Sequence, residues 1–254
     1  MLVLSNMIAT SSARSLERGI HVLNIMTGMG KVRAADILKR SDIPPASFFR
    51  ILKVLVEYGL VSRYPDGKYA LGTRTMMLGF HARENAASVR AVKPLLRELA
   101  MRTHLMAEFI SASRWKLVTI ESWVCESTPL EVASRPGYVI ELDHLSAPGL
   151  CYLAFDVAFG LPRYLRKTTG MPQSSVEVLQ TTCQRVRQKG YVWHTGTDGV
   201  ARLSVPVFNR HDANNRRVRS TLNLVSTADE LSAARASQLY RLLVKTSTQL
   251  ADDL

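Results

Sequence analysis

Residues 43–59, IPPASFFRILKVLVEYG, decide how the rest of the chain is read. Phe48, Ile51, Leu52, Leu55 and Val56 recur at i, i+3, i+4, i+7 and i+8, the apolar face of an α-helix. The other side carries Ser47, Arg50, Lys53 and Glu57. Pro44 and Pro45 suit a first turn, where a missing N–H costs little, and Gly59 suits a helix stop. Just upstream, residues 33–40 (RAADILKR) predict a shorter helix with Ala34, Ile37 and Leu38 inside. Ser41-Asp42-Ile43 then supplies a tight turn. Together these pieces predict a helix-turn-helix whose second helix has a polar, basic outer face.

The same periodicity suits any small three-helix domain, so the segment after the helix carries weight. Residues 61–64 and 68–71 are short strand-like runs separated by Pro65-Asp66-Gly67. Asp-Gly between such runs is a strong hairpin signal. A hairpin placed directly after a recognition helix predicts the wing of a winged helix. Arg63 and Lys68 flank its tip, where side chains can meet phosphates.

Charge points the same way. The 254 residues carry a net charge of +12, which favours a polyanionic partner, nucleic acid before membrane. Residues 1–74 hold 11 Lys and Arg against 5 Asp and Glu, net +6, and residues 75–254 hold 22 against 16, also +6. The amino-terminal block is therefore the more basic per residue. Cys125, Cys151 and Cys183 are odd in number and widely spaced, with neither metal-ligand nor redox spacing. They read as reduced, cytoplasmic and mostly buried thiols. The first ten residues, MLVLSNMIAT, lack a basic stretch and make a poor signal peptide, and residues 1–12 read as a loose leader. No apolar run approaches the roughly 20 residues a membrane helix needs.

Along the chain, residues 14–27 predict the first helix of the head, with Leu16, Ile20, Leu23 and Met26 on one apolar side. Gly28-Met29-Gly30-Lys31 lacks the flanking strand and the Gly-Lys-Ser/Thr ending of a phosphate loop. A long helical stretch occupies residues 73–103. Met76, Met77, Phe80, Val89, Val92, Leu95, Leu96 and Leu99 supply its apolar positions, and Pro94 is expected to break or kink it. Strand patterns then occupy residues 107–113, 116–124, 130–134 and 138–142. Helical patterns occupy 147–156, 159–168 and 174–189. Strands return at 191–195, 201–208 and 219–226, and a helix closes the chain over 229–250. Residues 209–219, NRHDANNRRVR, read as a solvated hairpin loop. This order predicts an α+β fold with a mostly antiparallel sheet in the second part.

The segments SLERGIHVLNIM (15–26), AADILKRSDIPPASFFRILKVLVEYGLVSR (34–63) and DGKYALGTRTMMLG (66–79) resemble the amino-terminal domain of the IclR family of bacterial transcriptional regulators. Pro45 and Phe49 depart from the family's usual polar or basic residue and histidine. The resemblance extends more weakly through Ala147-Pro148-Gly149, Leu153-Ala154-Phe155, Gly190-Tyr191, residues 203–207 and Leu222-Asn223-Leu224-Val225. There the family carries a GAF-like effector domain, and these pieces look most like the branch controlling breakdown of aromatic acids. The resemblance implies a winged helix-turn-helix domain at 12–74, then a linker helix and GAF-like α+β effector-binding domain at 75–254. It also implies that the linker helix helps hold subunits together in a homodimer or tetramer.

On this reading Ser47 and Arg50 enter the major groove, Arg50 pairing with guanine, and Phe49 touches a thymine methyl. Arg33, Lys53, Arg63 and Lys68 hold phosphates. In the second domain Arg202 and Asn223 interrupt apolar strands, at positions the family uses to line its effector cavity. A buried guanidinium needs a partner, and it can clamp a carboxylate with two parallel hydrogen bonds. Arg202, with Asn223 and His194, is expected to grip a small acid, and Ser146, Ala147 and Pro148 to close the cavity. The bland alternative has Arg202 facing outward, or paired with Glu141 or Glu121.

No nucleophile elbow, Cys-x-x-Cys, zinc-binding His-Glu-x-x-His or dinucleotide fingerprint is present, and His21, His81, His104, His144, His194 and His211 show no metal-ligand spacing. The sequence calls for no cofactor, no metal and no catalytic residue. The partners implied are an operator duplex, an organic-acid effector, further copies of the chain and, as a further candidate, RNA polymerase, with no membrane. Two rivals stand beside the regulator: an enzyme acting on a small acid in the carboxy-terminal cavity, and a winged helix used only for protein contacts.

Overall fold

The computed structural model describes residues 11–113, 115–125, 135–156, 160–196, 199–208 and 218–253. The leader at 1–10, the strand expected at 130–134 and most of the loop expected at 209–219 lie outside them. The chain divides after Asn85 into two units.

The first unit holds helices α1 (Ser11–Met26), α2 (Ala34–Leu38) and α3 (Pro45–Glu57), strands β1 (Val61–Arg63) and β2 (Tyr69–Leu71), and helix α4 (Thr73–Asn85). Pro45 occupies the first turn of α3, and Phe48, Leu52 and Leu55 are its buried face. They pack with Val22, Met26, Ile37, Ile43 and Val61 into one small core. The turn between α2 and α3 is fixed by Asp42 in the left-handed region (φ 48°) and by Ser41, whose hydroxyl donates to the Leu38 carbonyl (2.9 Å). The wing pairs Val61 with Leu71 and Arg63 with Tyr69, antiparallel. Gly67 at φ 75° forms its tip, a conformation that disfavours a Cβ. A bridge between Val32 and Tyr69 ties the chain before α2 to the wing.

Three expectations are corrected by the structure. Leu16 and Ile20 are not on the inner face of α1: they are 65% and 50% exposed. The buried face of α1 runs through Val22 and Met26, with Gly19 lying near Ile51 of α3. The long helix does not break at Pro94. It breaks at Ala86, and Pro94 sits inside the next helix, α5 (Ala87–Thr103). Pro94 is exposed, and on a solvent-facing side of a helix water can make up for the backbone N–H that proline lacks. Met76, Met77 and Phe80 of α4, expected to supply apolar packing positions, are more than half exposed within the chain, as is Leu78 beside them.

The second unit is built on strands β3 (Met106–Ser113), β4 (Lys116–Trp123), β5 (Val139–Glu141), β6 (Val192–Thr195), β7 (Val200–Phe208) and β8 (Val218–Thr227). They form one sheet in the order β5-β4-β3-β8-β7-β6, every neighbouring pair antiparallel. Helices α6 (Ala147–Phe155), α7 (Leu161–Lys167) and α8 (Gln173–Lys189) lie between β5 and β6 in the chain, and α9 (Ala233–Asp253) closes it. Side chains alternate across a strand, so each strand feeds two cores. Ala201, Leu203, Val205, Val207, Leu222, Leu224, Ala107 and Phe109 pack against α5 and α9. Ile110, Leu117 and Val192 pack on the other side with α6, α7 and α8. The α+β architecture expected from the sequence is the one observed.

Candidate functional site

In the head, burial of Phe48, Leu52 and Leu55 forces the rest of α3 outward. Its exposed side divides into two stripes. Phe49, Lys53 and Glu57 form one, and all three are exposed, with Phe49 packed edge-on against Phe48 (5.3 Å between rings). Ser47, Arg50, Val54 and Tyr58 form the other. With Ser15, Leu16, Arg18 and Gly19 of α1 they line a groove of about 520 Å³. Arg33 is exposed at the start of α2 and makes no side-chain cap there.

The wing gathers cations. Arg63 lies 6.0 Å from the Tyr69 ring, and Lys68 pairs with Asp66 at 3.3 Å. The Asp66 carboxyl is held below its usual range, first by the backbone N–H of Lys68 and then by nearby lysine charges. That pair is solvent-exposed and therefore weak, so it does not withhold Lys68 from a phosphate. Lys31 lies 3.7 Å above the Tyr64 ring, which joins it to the same cluster.

In the second unit the strand register places the polar residues. Ser204 of β7 is opposite both Val192 of β6 and Asn223 of β8, and Asn223 is opposite Glu108 of β3. Val192 belongs to the α6 side, so Ser204, Asn223 and Glu108 form one polar row on that side. All three are wholly buried. Arg202 stands two residues along β7, on the same face, opposite His194 and Val225. Thr119 lies opposite Ile110, again on the α6 side.

This face leaves hydrogen-bonding groups unused. Among the described residues, Thr119 Oγ1, Arg202 Nε, Ser204 Oγ and Asn223 Oδ1 are buried without a hydrogen-bond partner. Each such atom costs about 1–3 kcal/mol if nothing meets it. The Asn223 amide is oriented: its Nδ2 donates to the carbonyls of Glu108 (3.4 Å) and Thr221 (3.3 Å) and to Thr221 Oγ1 (3.2 Å). Two carbonyls can accept only from the NH₂ end, so Oδ1 is the end left over.

Helix α6 covers β7 and β8. Ala147 and Pro148 are buried in its first turn, and Ser146 caps it, accepting from the Gly149 N–H at 3.2 Å. A Cβ on Gly149 would fall 2.2 Å from the Asp143 carbonyl oxygen, so the entry to α6 requires glycine. Burial pushes the Cys151 thiol, in the middle of α6, far above its ordinary value. His194 is exposed on the edge strand, at the margin of the row rather than in it.

The pattern of the IclR helix-turn-helix domain matches residues 15–65, and that of the bacterial transcriptional regulator IclR carboxy-terminal domain matches residues 81–252. The chain belongs to the IclR family. The HTH-type transcriptional regulator RhmR of Escherichia coli strain K12, itself uncharacterized, is 25% identical over 231 residues, covering 87% of this chain and 85% of its own. The IclR regulator of Alicyclobacillus acidocaldarius has the same fold, with a TM-score of 0.79 over 94% of this chain and 98% of its own at 21% identity. So has an IclR homologue of Microbacterium hydrocarbonoxydans complexed with 4-hydroxybenzoate, with a TM-score of 0.72, 20% identity and the same coverages.

As an IclR-family member the protein is a DNA-binding transcriptional regulator with a carboxy-terminal effector-binding domain. Among the described residues no helix is long and apolar enough to cross a membrane, and no cluster of His, Cys, Asp and Glu is arranged to hold a metal ion. Of the alternatives for Arg202, pairing with Glu141 or Glu121 meets an obstacle of distance. Glu141 on β5 is four strands from β7, and Glu121 on β4 three. At about 4.8 Å per strand, neither is within reach. Glu141 pairs instead with Lys116.

Sequence reasoning did not single out Lys31, Arg18, Glu108, Ser204 or Thr119, which the structure brings beside the candidate residues. The signal for Ser204 and Glu108 was available: each is polar on a strand whose other positions are mostly apolar. Lys31 joins the wing only through the Val32–Tyr69 bridge, which local pattern does not announce.

Proposed function

We propose that this IclR-family regulator reads its operator with Ser47, Phe49 and Arg50 and is controlled by a small organic acid that Arg202 takes by the carboxylate. The exposed outer side of α3 supports the first part. Arg50 has the reach for a bidentate contact to guanine, and Arg33, Lys53, Arg63 and Lys68, joined by Lys31, are placed for phosphates. One α3 reads too few base pairs for specificity, so the acting form is a homo-oligomer on a two-fold operator. The exposed apolar run Met76, Met77, Leu78 and Phe80 on α4 is the surface that supports self-association. The place of action is the cytoplasm, where operator DNA and RNA polymerase are met.

The observation that carries the effector reading is the unused Arg202 Nε beside a buried polar row. A carboxylate seated there turns an unsatisfied donor into a charge-assisted pair. Asn223 lines the site, Ala147 and Pro148 roof it, and His194 sits at its edge. The 4-hydroxybenzoate bound to the Microbacterium hydrocarbonoxydans homologue makes aromatic acids the first compounds to try.

The test is fluorescence anisotropy on the duplex upstream of the protein's own coding sequence, with and without a panel of organic acids. Specific, salt-sensitive binding that one acid alters, and that Arg202→Ala frees from that acid, is expected. An acid response unchanged in Arg202→Ala overturns the effector assignment.

A further inference from the structure

We infer that the effector is a hydroxylated carboxylic acid, and that the row Ser204–Asn223 selects it over the unsubstituted acid. The inference rests on the acid reading above and adds a second contact to it.

Arg202 offers donors only, and a carboxylate satisfies it. Asn223 Oδ1 is an acceptor only. It is wholly buried, its amide is locked by donation to two carbonyls, and no hydrogen-bond donor meets it. A carboxylate oxygen placed against it would set two acceptors face to face. What Oδ1 needs is a ligand O–H. Ser204, directly opposite Asn223, is equally buried and its hydroxyl has no partner either. It is amphoteric, so it can donate to the same ligand oxygen that donates to Asn223. A hydroxyl gives one proton and accepts others, and it satisfies this pair in one step. An ether, a ketone or a second carboxylate does not.

The register also sets the length. Arg202 and Ser204 are two residues apart on one strand, about 7 Å along β7. The carboxyl and hydroxyl ends of the ligand are therefore separated by a spacer such as a six-membered ring or a short carbon chain. Apolar neighbours on this face, Val225 and Met106 in the Arg202 row, supply the walls for that spacer. Polar groups built to bind a hydroxyl discriminate strongly against its absence, because they are then left buried and unpaired.

The experiment is titration calorimetry of the full-length protein with two matched pairs: benzoate against 4-hydroxybenzoate, and hexanoate against gluconate. The same titrations are run on Asn223→Leu and, as a smaller change that keeps the strand intact, Ser204→Ala. Thermal melts confirm that each variant is folded. The expected result is a preference for the hydroxylated member of at least one pair by about tenfold or more, falling towards unity in either variant. Which pair shows it separates an aromatic from an aliphatic source. Equal affinity within both pairs, as when a bound water satisfies Asn223, overturns the inference and leaves the acid reading standing. So does a preference that survives in both variants. If no acid binds, the acid reading fails and this inference fails with it.

Discussion

On β7, Ala201, Leu203, Val205 and Val207 pack towards α5 and α9, while Arg202 and Ser204, between them, face α6. The two faces share one backbone. On the α5–α9 side the buried polar groups have partners: Thr103 donates to the Leu99 carbonyl at 2.7 Å and Ser247 to the Pro206 carbonyl at 2.6 Å. On the α6 side Ser204, Asn223, Thr119 and Arg202 keep atoms unused. One face is optimised for the folded state alone. The other retains buried groups that the folded chain leaves unsatisfied. The head repeats the contrast on one helix, with Leu52 buried and Arg50 exposed.

Substitutions at adjacent positions test the contrast most directly. Leu203→Ala, on the apolar face, should lower stability in urea unfolding by about 2–5 kcal/mol. Ser204→Ala, one residue on, removes an unpaired hydroxyl and should leave the ligand-free protein as stable as before or more stable, by up to about 1–3 kcal/mol. Equal losses would mean that both faces are structural. A cognate effector at a hundred times its Kd should stabilise the wild type by about 2.7 kcal/mol, seen as a rise in Tm. Arg202→Ala should erase that rise.

In the head, Arg50→Ala should cost about 1–3 kcal/mol of operator affinity and relax the base preference at one position per half-site. Lys53→Ala should weaken all duplexes alike and reduce the salt slope by about one. Neither should shift the melting temperature as Leu52→Ala would. If Arg50→Ala leaves both affinity and base preference intact, α3 is not the reading helix.

The smallest effect concerns the thiols. Cys151 and Cys183 are buried and both thiols are raised by desolvation, whereas Cys125 is partly exposed. A group with a raised pKa in the folded state stabilises fully below its unfolded pKa, and the contribution is lost as pH climbs above it. Stability should therefore decline gently above the ordinary thiol range, and less so in Cys151→Ala. Alkylation of native protein, followed by mass spectrometry, should find Cys125 modified first and Cys151 only after unfolding.

Most of the fold could be read locally. The spacing of Phe48, Leu52 and Leu55, the two prolines before them and Asp66-Gly67 after them announce α3 and the wing, because helix period and turn chemistry are properties of short segments. The faces were harder. Leu16 and Ile20 looked as fit for burial as Val22, and only the packing of α1 into the head core through Val22 and Met26 excludes them. Pro94 looked like a break but lies on an exposed side of α5 that tolerates it.

The site divides in the same way. Arg202 and Asn223 stood out because a polar residue in an apolar strand is anomalous wherever it occurs. Glu108 and Ser204 carry the same local signal, but that they join Asn223 in one row was not legible, since residues 108, 204 and 223 are far apart in the chain and come together only through the order β3-β8-β7.

Local sequence was enough for the elements, the winged helix-turn-helix and the α+β order, because hydrophobic period and turn propensity act within a few residues. Which face each side chain occupies, and which buried atoms go unpaired, was left to the three-dimensional assembly. Those outcomes depend on strand register and helix approach, which are set by contacts between distant segments.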